Sequence, residues 1–321
     1  MANDLGSAQR ALRVAIVGSG PSAFYSTDSL FKSGLNISVT MFERLPTPFG
    51  LVRYGVAPDH HKIKNVIKVY EKIAEHEGFH FLGNVEVGRD ITVHQVRKYF
   101  DVVLFAYGAE TDRKLGIVGE GLPGSHTATE FVAWYNGHPD FQDRKFDLSC
   151  NSAVIVGQGN VALDVCRILC KTVDELKNTD IAQNALDVLA QSKIKEVHII
   201  GRRGPAQAAF TPIEIREFGE LANCAPVINV KDLELNYASQ CELEDPHNAP
   251  KKKNYEILKK LAEIDPAGKE KRFIMHFRKS PAAMYPLDDP SRLGKIYLEH
   301  NKLVGEAHHQ KSMGTGEKEE L

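Results

Sequence analysis

Two glycine-rich stretches with the same spacing are the residues of this sequence that indicate its chemistry. The first is Gly18-Ser19-Gly20-Pro21-Ser22-Ala23, and the second is Gly157-Gln158-Gly159-Asn160-Val161-Ala162. In this pattern the first glycine allows a tight turn, the second lets the backbone approach a pyrophosphate, and the third small residue allows close contact between helix and strand. We therefore predict a dinucleotide site at each stretch; the alternative is a glycine-rich turn that holds no ligand.

Charged residues that follow each stretch distinguish the two sites. Glu43 comes after the first stretch at about the 20-residue offset where a carboxylate accepts hydrogen bonds from ribose hydroxyls. Arg202 and Arg203 end the second strand of the other unit, and paired guanidinium groups there suit a phosphate on the adenosine ribose. This predicts NADP(H) in the second site, with a solvated pair of loop arginines as the alternative. A hydride needs an acceptor held by the protein, which favours FAD in the first site.

A strand, a helix and a second strand are predicted around each glycine stretch, as in the βαβ unit of a doubly wound parallel sheet. Around the first stretch these elements are residues 14–17, 24–32 and 37–42, and around the second they are residues 153–156, 161–169 and 197–200. The sequence therefore predicts an α/β fold with two Rossmann-like dinucleotide-binding domains.

Weaker patterns predict the remaining elements. A helix is expected over residues 63–74 with Asp59 as its N-cap, and a long helical stretch over residues 172–191. Buried strands are expected over residues 79–85 and 102–106, and two further strands over residues 273–277 and 296–298. Residues 308–321 have almost no apolar side chains, which predicts a loop or a cut end.

The composition is that of an ordinary globular protein. The chain has 321 residues, with 40 basic and 42 acidic side chains and a net charge of −2. This balance gives no global electrostatic case for nucleic acid, with a local basic patch as the alternative. No apolar run approaches the roughly 20 residues of a transmembrane helix. The five cysteines include no C-x-x-C pair, so we expect small buried thiols and no metal site. Residues 1–12 contain too few basic residues to read as a signal or transit peptide, so we expect a presequence to be either absent or removed.

Five segments of the sequence share their pattern with one known family. They are residues 14–21 (VAIVGSGP), 48–60 (PFGLVRYGVAPDH), 83–88 (GNVEVG), 157–164 (GQGNVALD) and 201–211, which joins Gly-Arg-Arg-Gly-Pro to Ala-Phe-Thr. In these segments the chain resembles the adrenodoxin reductases, the mitochondrial NADPH–ferredoxin reductases and their bacterial relatives. The similarity covers about residues 13–321, and residues 48–60 are the part most particular to this family.

The resemblance implies two sets of cofactor-binding residues and a proton relay. The set for FAD is Gly18, Gly20, Pro21, Ser22, Glu43, Arg44, Leu51 and Val85. The set for NADP(H) is Gln158, Gly159, Asn160, Val161, Arg202, Arg203 and Glu214. The relay consists of His60 and Asp164, which would handle a proton near the flavin. The alternatives are that His60 satisfies local backbone groups and that Asp164 is a surface carboxylate.

The activity implied by the resemblance is NADPH-dependent ferredoxin reduction in mitochondria. Hydride passes from NADPH to FAD, and single electrons then pass to a small acidic 2Fe–2S ferredoxin of the adrenodoxin type. Candidate docking residues are Arg216, Lys251, Lys252 and Lys253. The resemblance also implies a glutathione-reductase-like architecture, with the N-terminal part of the FAD domain in residues 1–108, a crossing segment at residues 106–109, and the NADP domain in residues 109–321.

Two features of the sequence keep other functions open. Family members continue beyond the position that matches Leu321 and return to the FAD domain, so the sequence predicts a C-terminally shortened chain. The alternative function is therefore a non-catalytic isoform that binds nucleotide or a partner weakly. A flavin-dependent disulfide reductase is disfavoured because no C-x-x-C pair is present, and residues 48–60 disfavour a flavin monooxygenase.

Overall fold

The computed structural model describes residues 4–109, 111–287 and 292–321. The chain divides into two compact units, Met1–Thr111 and Asp112–Leu321. Thr111 lies just after residues 106–109, where the resemblance implies that the chain leaves the first domain. Each unit contains a parallel sheet covered by helices, which confirms the predicted α/β class with two Rossmann-like domains.

The first unit is built on one parallel sheet of four strands. Its strands are β1 (Leu12–Val17), β2 (Ile37–Glu43), β3 (Phe79–Gly83) and β4 (Val102–Phe105). Its helices are α1 (Pro21–Phe31), α2 (Leu51–Tyr54), α3 (His61–Lys64), α4 (Ile67–Ala74) and α5 (Val93–Tyr99). The order β3-β2-β1-β4 places β1 between two neighbours, so the first glycine turn begins at the middle of the sheet.

Apolar clusters cover both faces of this sheet. On one face, Phe24 of α1 stacks on Tyr70 of α4 with ring centroids 4.8 Å apart, and Phe49 packs against both rings. On the other face, Val96 of α5 shares a cluster with Phe42. Because Phe49 belongs to the loop after β2, the same core that supports α1 also holds residues 48–60 in place.

Two predictions for the first unit are wrong. The helix predicted over residues 63–74 is two helices, α3 and α4, and His60 takes the N-cap position predicted for Asp59. The predicted apolar face is not continuous, since Ile63 is 50% exposed. The two strands predicted to be buried both form but are not buried, because β3 and β4 are the two edge strands of the sheet and leave Leu82, Val102 and Phe105 43%, 44% and 51% exposed.

The second unit contains a parallel and an antiparallel sheet. The parallel strands are β5 (Ser152–Val156), β6 (Glu196–Ile200), β7 (Cys224–Ile228) and β8 (Lys271–His276), in the order β5-β6-β8-β7. The antiparallel strands are β9 (Lys279–Tyr285), β10 (Lys295–Val304) and β11 (Lys311–Glu320), in the order β11-β10-β9. The helices are α6 (Ala128–Tyr135), α7 (Asn160–Cys170), α8 (Val173–Leu176), α9 (Gln183–Ala190), α10 (Pro212–Glu217), α11 (Tyr237–Glu244) and α12 (Ala249–Ala262).

Two predictions for the second unit are also wrong. Residues 308–321 contain strand β11, which pairs antiparallel with β10. Its side chains are mostly exposed, so the strand needs no apolar run. Residues 172–191 form two helices rather than one: α8 ends at Leu176, whose main-chain oxygen accepts from Thr179 Oγ1 (2.7 Å), and α9 begins at Gln183.

The cysteines are free thiols, and three of them are buried as predicted. Cys166, Cys170 and Cys224 lie in the core of the second unit, whereas Cys150 and Cys241 are half-buried. Burial raises the pKa of the Cys166 thiol, which disfavours the reactive thiolate. Among the described helices, none combines the length and the apolar character needed to cross a membrane.

Candidate functional site

The first glycine turn joins β1 to α1 and requires glycine at its first position. Gly18 has a φ of 103°, a conformation that side-chain-bearing residues rarely adopt. Its N–H donates to Phe42 O (2.8 Å), which ties the turn to β2. A Cβ on Gly18 would lie 2.5 Å from Ala106 O and 2.7 Å from the Tyr107 Cα, so the turn packs directly against the chain that leaves β4.

Gly20, at the second glycine position, borders open space. It is the N-cap of α1 and makes no side-chain cap, and a Cβ built on it has no heavy atom within 4 Å in the described part of the chain. Pro21 and Ser22 start the helix, and Ser22 is exposed. The positive end of the eleven-residue helix α1 thus borders an open space, the cradle, that a methyl group on Gly20 would fill. Pyrophosphate binding requires such a space at a helix N-terminus.

Glu43 lies beside this turn at the end of β2. Its Oε2 accepts a hydrogen bond from Ser19 Oγ (2.6 Å) and its Oε1 accepts one from Leu45 N (3.0 Å). Each carboxylate oxygen has a further lone pair, so Glu43 can still accept from ribose hydroxyls. Val85 follows β3 and donates its N–H to Glu43 O (2.9 Å). Glu43, the half-buried Arg44 and Val85 therefore meet at the carboxyl edge of the sheet.

Residues 48–60 lie against the first glycine turn. Phe49 N donates to Ser19 O (3.0 Å), and a Cβ on Gly50 would lie 2.9 Å from the Gly20 Cα. Phe49, which lies at this close approach, has a φ of 92°, a conformation that is unusual for a bulky residue. Leu51 begins α2 and is 67% exposed, so its side chain is available to a ligand.

The second glycine turn joins β5 to α7 and repeats the geometry of the first. Gly157 has a φ of 131°, and its N–H donates to Ile200 O (2.9 Å) on the neighbouring strand. Gly159 is the N-cap of α7, and in the described residues a Cβ on it meets nothing within 4 Å. Asn160 and Val161 are exposed at the start of the helix. The N-terminus of α7 therefore also borders open space, where a helix can bind an anion.

Gln158 connects this turn to the end of β6. Its Nε2 donates to His276 O (2.9 Å), the same carbonyl that accepts from Gly201 N (2.9 Å). A Cβ on Gly201 would overlap the Gln158 amide, so a side chain at this position would displace that amide from His276 O. The main-chain oxygen of Gln158 accepts from Ala209 N (2.9 Å). The glycine turn and residues 201–209 are thereby held as one structure.

The two arginines stand at the end of β6 as predicted, in different environments. Arg202 is exposed, and its main-chain oxygen accepts from Asn301 Nδ2 (3.1 Å). Arg203 is half-buried, its Nη2 donates to Gln207 O (3.3 Å), and its oxygen accepts from Arg278 N (2.9 Å). The backbone of the pair is therefore fixed from two sides while one guanidinium points to solvent.

A buried ion cluster joins α7 to α10. The Arg167 side chain is completely buried and lies 2.8 Å from Asp164, 3.1 Å from Glu214 and 3.3 Å from Glu217. Asp164 is 8% exposed, so the alternative interpretation of this residue as a surface carboxylate is wrong. Glu214 is 5% exposed, and its Oε2 accepts a hydrogen bond from Arg167 Nη1. Asp164 and Glu214 thus belong to one charge cluster within the second unit.

His60 belongs to the first unit, where it precedes α3. Its N–H donates to Ala57 O (3.0 Å), and its main-chain oxygen accepts from Ile63 N (3.1 Å). Both hydrogen bonds are made by the main chain of His60.

Comparison with known proteins places the chain in a family. NADPH:adrenodoxin oxidoreductase, mitochondrial, of Arabidopsis thaliana is 44% identical over 98% of this chain and 66% of its own length. NADPH-ferredoxin reductase FprA of Mycobacterium tuberculosis is 44% identical over 96% of this chain and 68% of its own length. The chain belongs to the adrenodoxin reductase family. It spans about two thirds of the length of the curated relatives it matches.

A solved structure supports the same family assignment. FprA of Mycobacterium tuberculosis in complex with NADPH matches with a TM-score of 0.90 at 43% identity, covering 97% of this chain and 69% of that chain. No family model matches the sequence. The resemblance stated from the five sequence segments is therefore confirmed at the level of both sequence and fold.

Two histidines lie under the arginine turn of this adrenodoxin reductase family member. His198 Nδ1 and His276 Nε2 are 3.0 Å apart on the adjacent strands β6 and β8. Burial, with smaller contributions from Lys279 and His198, lowers the pKa of His276 to about 4, and burial also lowers the pKa of His198. The pair is therefore neutral at pH 7 and adds no positive charge beneath the turn.

The four candidate docking residues differ in how available they are. Arg216 on α10 and Lys252 and Lys253 on α12 are exposed. Lys251 instead pairs with the buried Glu242, with Nζ 2.6 Å from Oε1. Three of the four predicted cations can therefore face a partner, whereas Lys251 mainly neutralises Glu242.

Two contacts that stabilise the candidate site were not predicted from the sequence: the Arg167–Asp164 ion pair and the Ser19–Glu43 hydrogen bond. Arg167 follows Asp164 at i+3 inside an otherwise apolar helix, and this spacing is the signal that could have shown the ion pair. The Ser19–Glu43 hydrogen bond has no such signal, because its partners are brought together only when β1 and β2 pair.

Proposed function

We propose that this chain forms the dinucleotide-binding part of an NADPH-dependent ferredoxin reductase. The observation that carries the proposal is a pair of open cradles at helix N-termini, one beside a carboxylate and one beside two arginines. A carboxylate suits the unsubstituted ribose of FAD, whereas guanidinium groups suit the 2′-phosphate of NADPH. The names of the relatives, which specify NADPH and either adrenodoxin or ferredoxin, agree with this assignment.

The first unit is proposed to hold FAD. The α1 N-terminus and Gly20 receive the pyrophosphate, Glu43 orients the ribose, and Leu51 and Val85 line the site. Gly18, Pro21, Ser22 and Arg44 complete the set that the resemblance implies. When bound, FAD supplies a two-electron acceptor that releases electrons singly, and NADPH supplies the hydride.

The second unit is proposed to hold NADP(H). Gly159 and the α7 N-terminus receive the pyrophosphate, and Arg202 and Arg203 bind the 2′-phosphate. The other residues assigned to this site are Gln158, Asn160, Val161 and Glu214. Gln158 acts by holding the turn, because its amide is bonded to His276 O.

His60 is proposed to carry a proton near the flavin, and Asp164 is proposed to act through Arg167. A carboxylate that lies 2.8 Å from a buried guanidinium orients that guanidinium and the α10 residues bonded to it. Hydride transfer depends mainly on orientation, so replacing either residue is proposed to slow the reaction without abolishing it.

A 2Fe–2S ferredoxin with an acidic surface is proposed as the electron acceptor. Arg216, Lys252 and Lys253 supply the exposed positive charge that steers such a partner and makes association sensitive to salt. A mitochondrial location is proposed from the name of the Arabidopsis thaliana relative, although the mycobacterial FprA is equally similar.

The test of the NADP site is the double variant Arg202→Ala/Arg203→Ala. We expect its dissociation constant for NADPH to rise about 100-fold and that for NADH to change less than about threefold, because only NADPH loses charge-assisted hydrogen bonds. Titration with each nucleotide measures both constants. The matched control is Lys252→Ala/Lys253→Ala, which removes two exposed cations outside the turn. Equal losses for NADPH and NADH would reject the 2′-phosphate assignment.

A further inference from the structure

A residue whose side chain is almost completely buried lies four positions after Arg203. Gln207 is 5% exposed and ends the short 3₁₀ helix Pro205–Gln207. Its Nε2 donates to Ser239 Oγ (3.1 Å) and to Glu242 Oε2 (3.0 Å), both on α11. Gln207 therefore connects the segment after the arginines to α11 by two hydrogen bonds, and no residue of α11 is predicted to contact a ligand.

The partners of Gln207 are themselves fixed. Glu242 is 2% exposed, its Oε1 accepts from Lys251 Nζ (2.6 Å), and its main-chain oxygen accepts from Asn248 Nδ2 (2.8 Å). Ser239 Oγ accepts a second hydrogen bond from Gln310 Nε2 (2.9 Å). Hydrogen bonds to a buried, charged acceptor are stronger than those between neutral groups, so the anchor is rigid.

The contact between this anchor and the arginines runs through the main chain of Gln207. Arg203 Nη2 donates to Gln207 O (3.3 Å), so the position of that carbonyl decides where the guanidinium is held. Gln207 Oε1 has no hydrogen-bond partner within the described residues. Because an unpaired buried acceptor costs free energy, the favourable contribution of this amide comes from its donor end, which faces α11.

We propose that Gln207 is a positioning residue for recognition of the 2′-phosphate. Held by Ser239 and Glu242, it keeps its carbonyl under Arg203 and orders the guanidinium before the ligand arrives. A pre-ordered group loses less entropy on binding, so affinity rises for ligands that use that group. A ligand without the 2′-phosphate gains nothing from it. The inference rests on the proposed NADP site.

The experiment compares 2′,5′-ADP with 5′-AMP, because the two ligands differ in the phosphate that Arg203 would bind. In the Gln207→Met variant we expect the dissociation constant of 2′,5′-ADP to rise about tenfold and that of 5′-AMP to stay within about twofold, as measured by calorimetry. In an Arg203→Ala background, Gln207→Met has no further effect on 2′,5′-ADP, since the two residues act as one unit. Asn136→Leu removes a half-buried amide at the end of α6 and moves neither constant.

Two results overturn the inference: equal weakening of both ligands, which indicates a general structural role, and unchanged binding of 2′,5′-ADP. If Gln207→Met does not fold, Glu242→Gln is judged by the same criterion, because it preserves side-chain size and removes the charged acceptor. Failure of the proposed NADP site is distinguishable. If Arg203→Ala still prefers 2′,5′-ADP over 5′-AMP as strongly as the unmodified chain does, the proposed NADP site is contradicted. If Arg203→Ala loses that preference and Gln207→Met keeps it, only the inference about Gln207 is rejected.

Discussion

Replacing Gly18 by alanine is expected to disrupt the first unit and to abolish its uptake of FAD. Forcing a side chain into the φ of 103° costs about 1–3 kcal/mol. The added Cβ would also lie 2.5 Å from Ala106 O, and main-chain atoms cannot rotate away. Overpacking of this kind adds about 1–3 kcal/mol, so the sum is a large part of the stability of one domain. Denaturant unfolding followed by flavin absorbance after FAD loading measures both effects.

Gly20→Ala is the matched control for Gly18→Ala. Gly20 has a φ of −81°, and its missing Cβ would extend into the cradle rather than into the protein. We expect the free energy of unfolding to change by no more than about 1 kcal/mol, whereas FAD binding weakens because a methyl group fills the space of the pyrophosphate. The account is contradicted if Gly18→Ala is as stable as the unmodified chain, or if Gly20→Ala binds FAD unchanged.

Arg167→Met is expected to lower the free energy of unfolding by about 3–5 kcal/mol, because removing one partner of a buried ion cluster leaves charges without compensation. The three carboxylates, from Asp164, Glu214 and Glu217, would remain near one another with no guanidinium between them. We also expect weaker NADPH binding, because α7 carries the glycine turn at its N-terminus. Urea unfolding and nucleotide titration provide the two measurements.

Arg144→Met is the control for the Arg167 prediction. Arg144 also pairs with a carboxylate, that of Glu130 at 3.1 Å, but its side chain is 55% exposed. An exposed pair contributes roughly 0–1 kcal/mol, so this variant should be nearly as stable as the unmodified chain. Similar losses for Arg144→Met and Arg167→Met would contradict the distinction between the exposed and the buried pair.

The parts of the site that could be predicted from sequence depend on local rules. The glycines at 18, 20, 157 and 159 mark strand-to-helix turns, because only a few residue types allow the backbone conformation or the close approach. Glu43 and the arginine pair follow from their place at strand ends, and the strands themselves follow from short β-branched runs. These signals lie within one βαβ unit each.

The parts that could not be predicted depend on contacts between residues distant in sequence. Strand β11 has little apolar character, and its pairing with β10 determines its structure. Strand β8 inserts between β6 and β7, which no local pattern reveals. The bond between Gln207 and Glu242 crosses from a turn to a later helix and appears only when both are packed. Asp164 resembles a surface carboxylate in sequence because Glu214 and Glu217 of α10, which share its partner Arg167, follow much later in the chain.

The central proposal is that this chain transfers hydride from NADPH to a flavin. Its most direct test is to load the purified chain with FAD, remove oxygen, add NADPH or NADH, and record the flavin absorption band. The account predicts a yellow protein whose band is bleached by NADPH at far lower concentrations than by NADH. A protein that stays colourless after loading, or a flavin band that persists in excess NADPH, would contradict the claim.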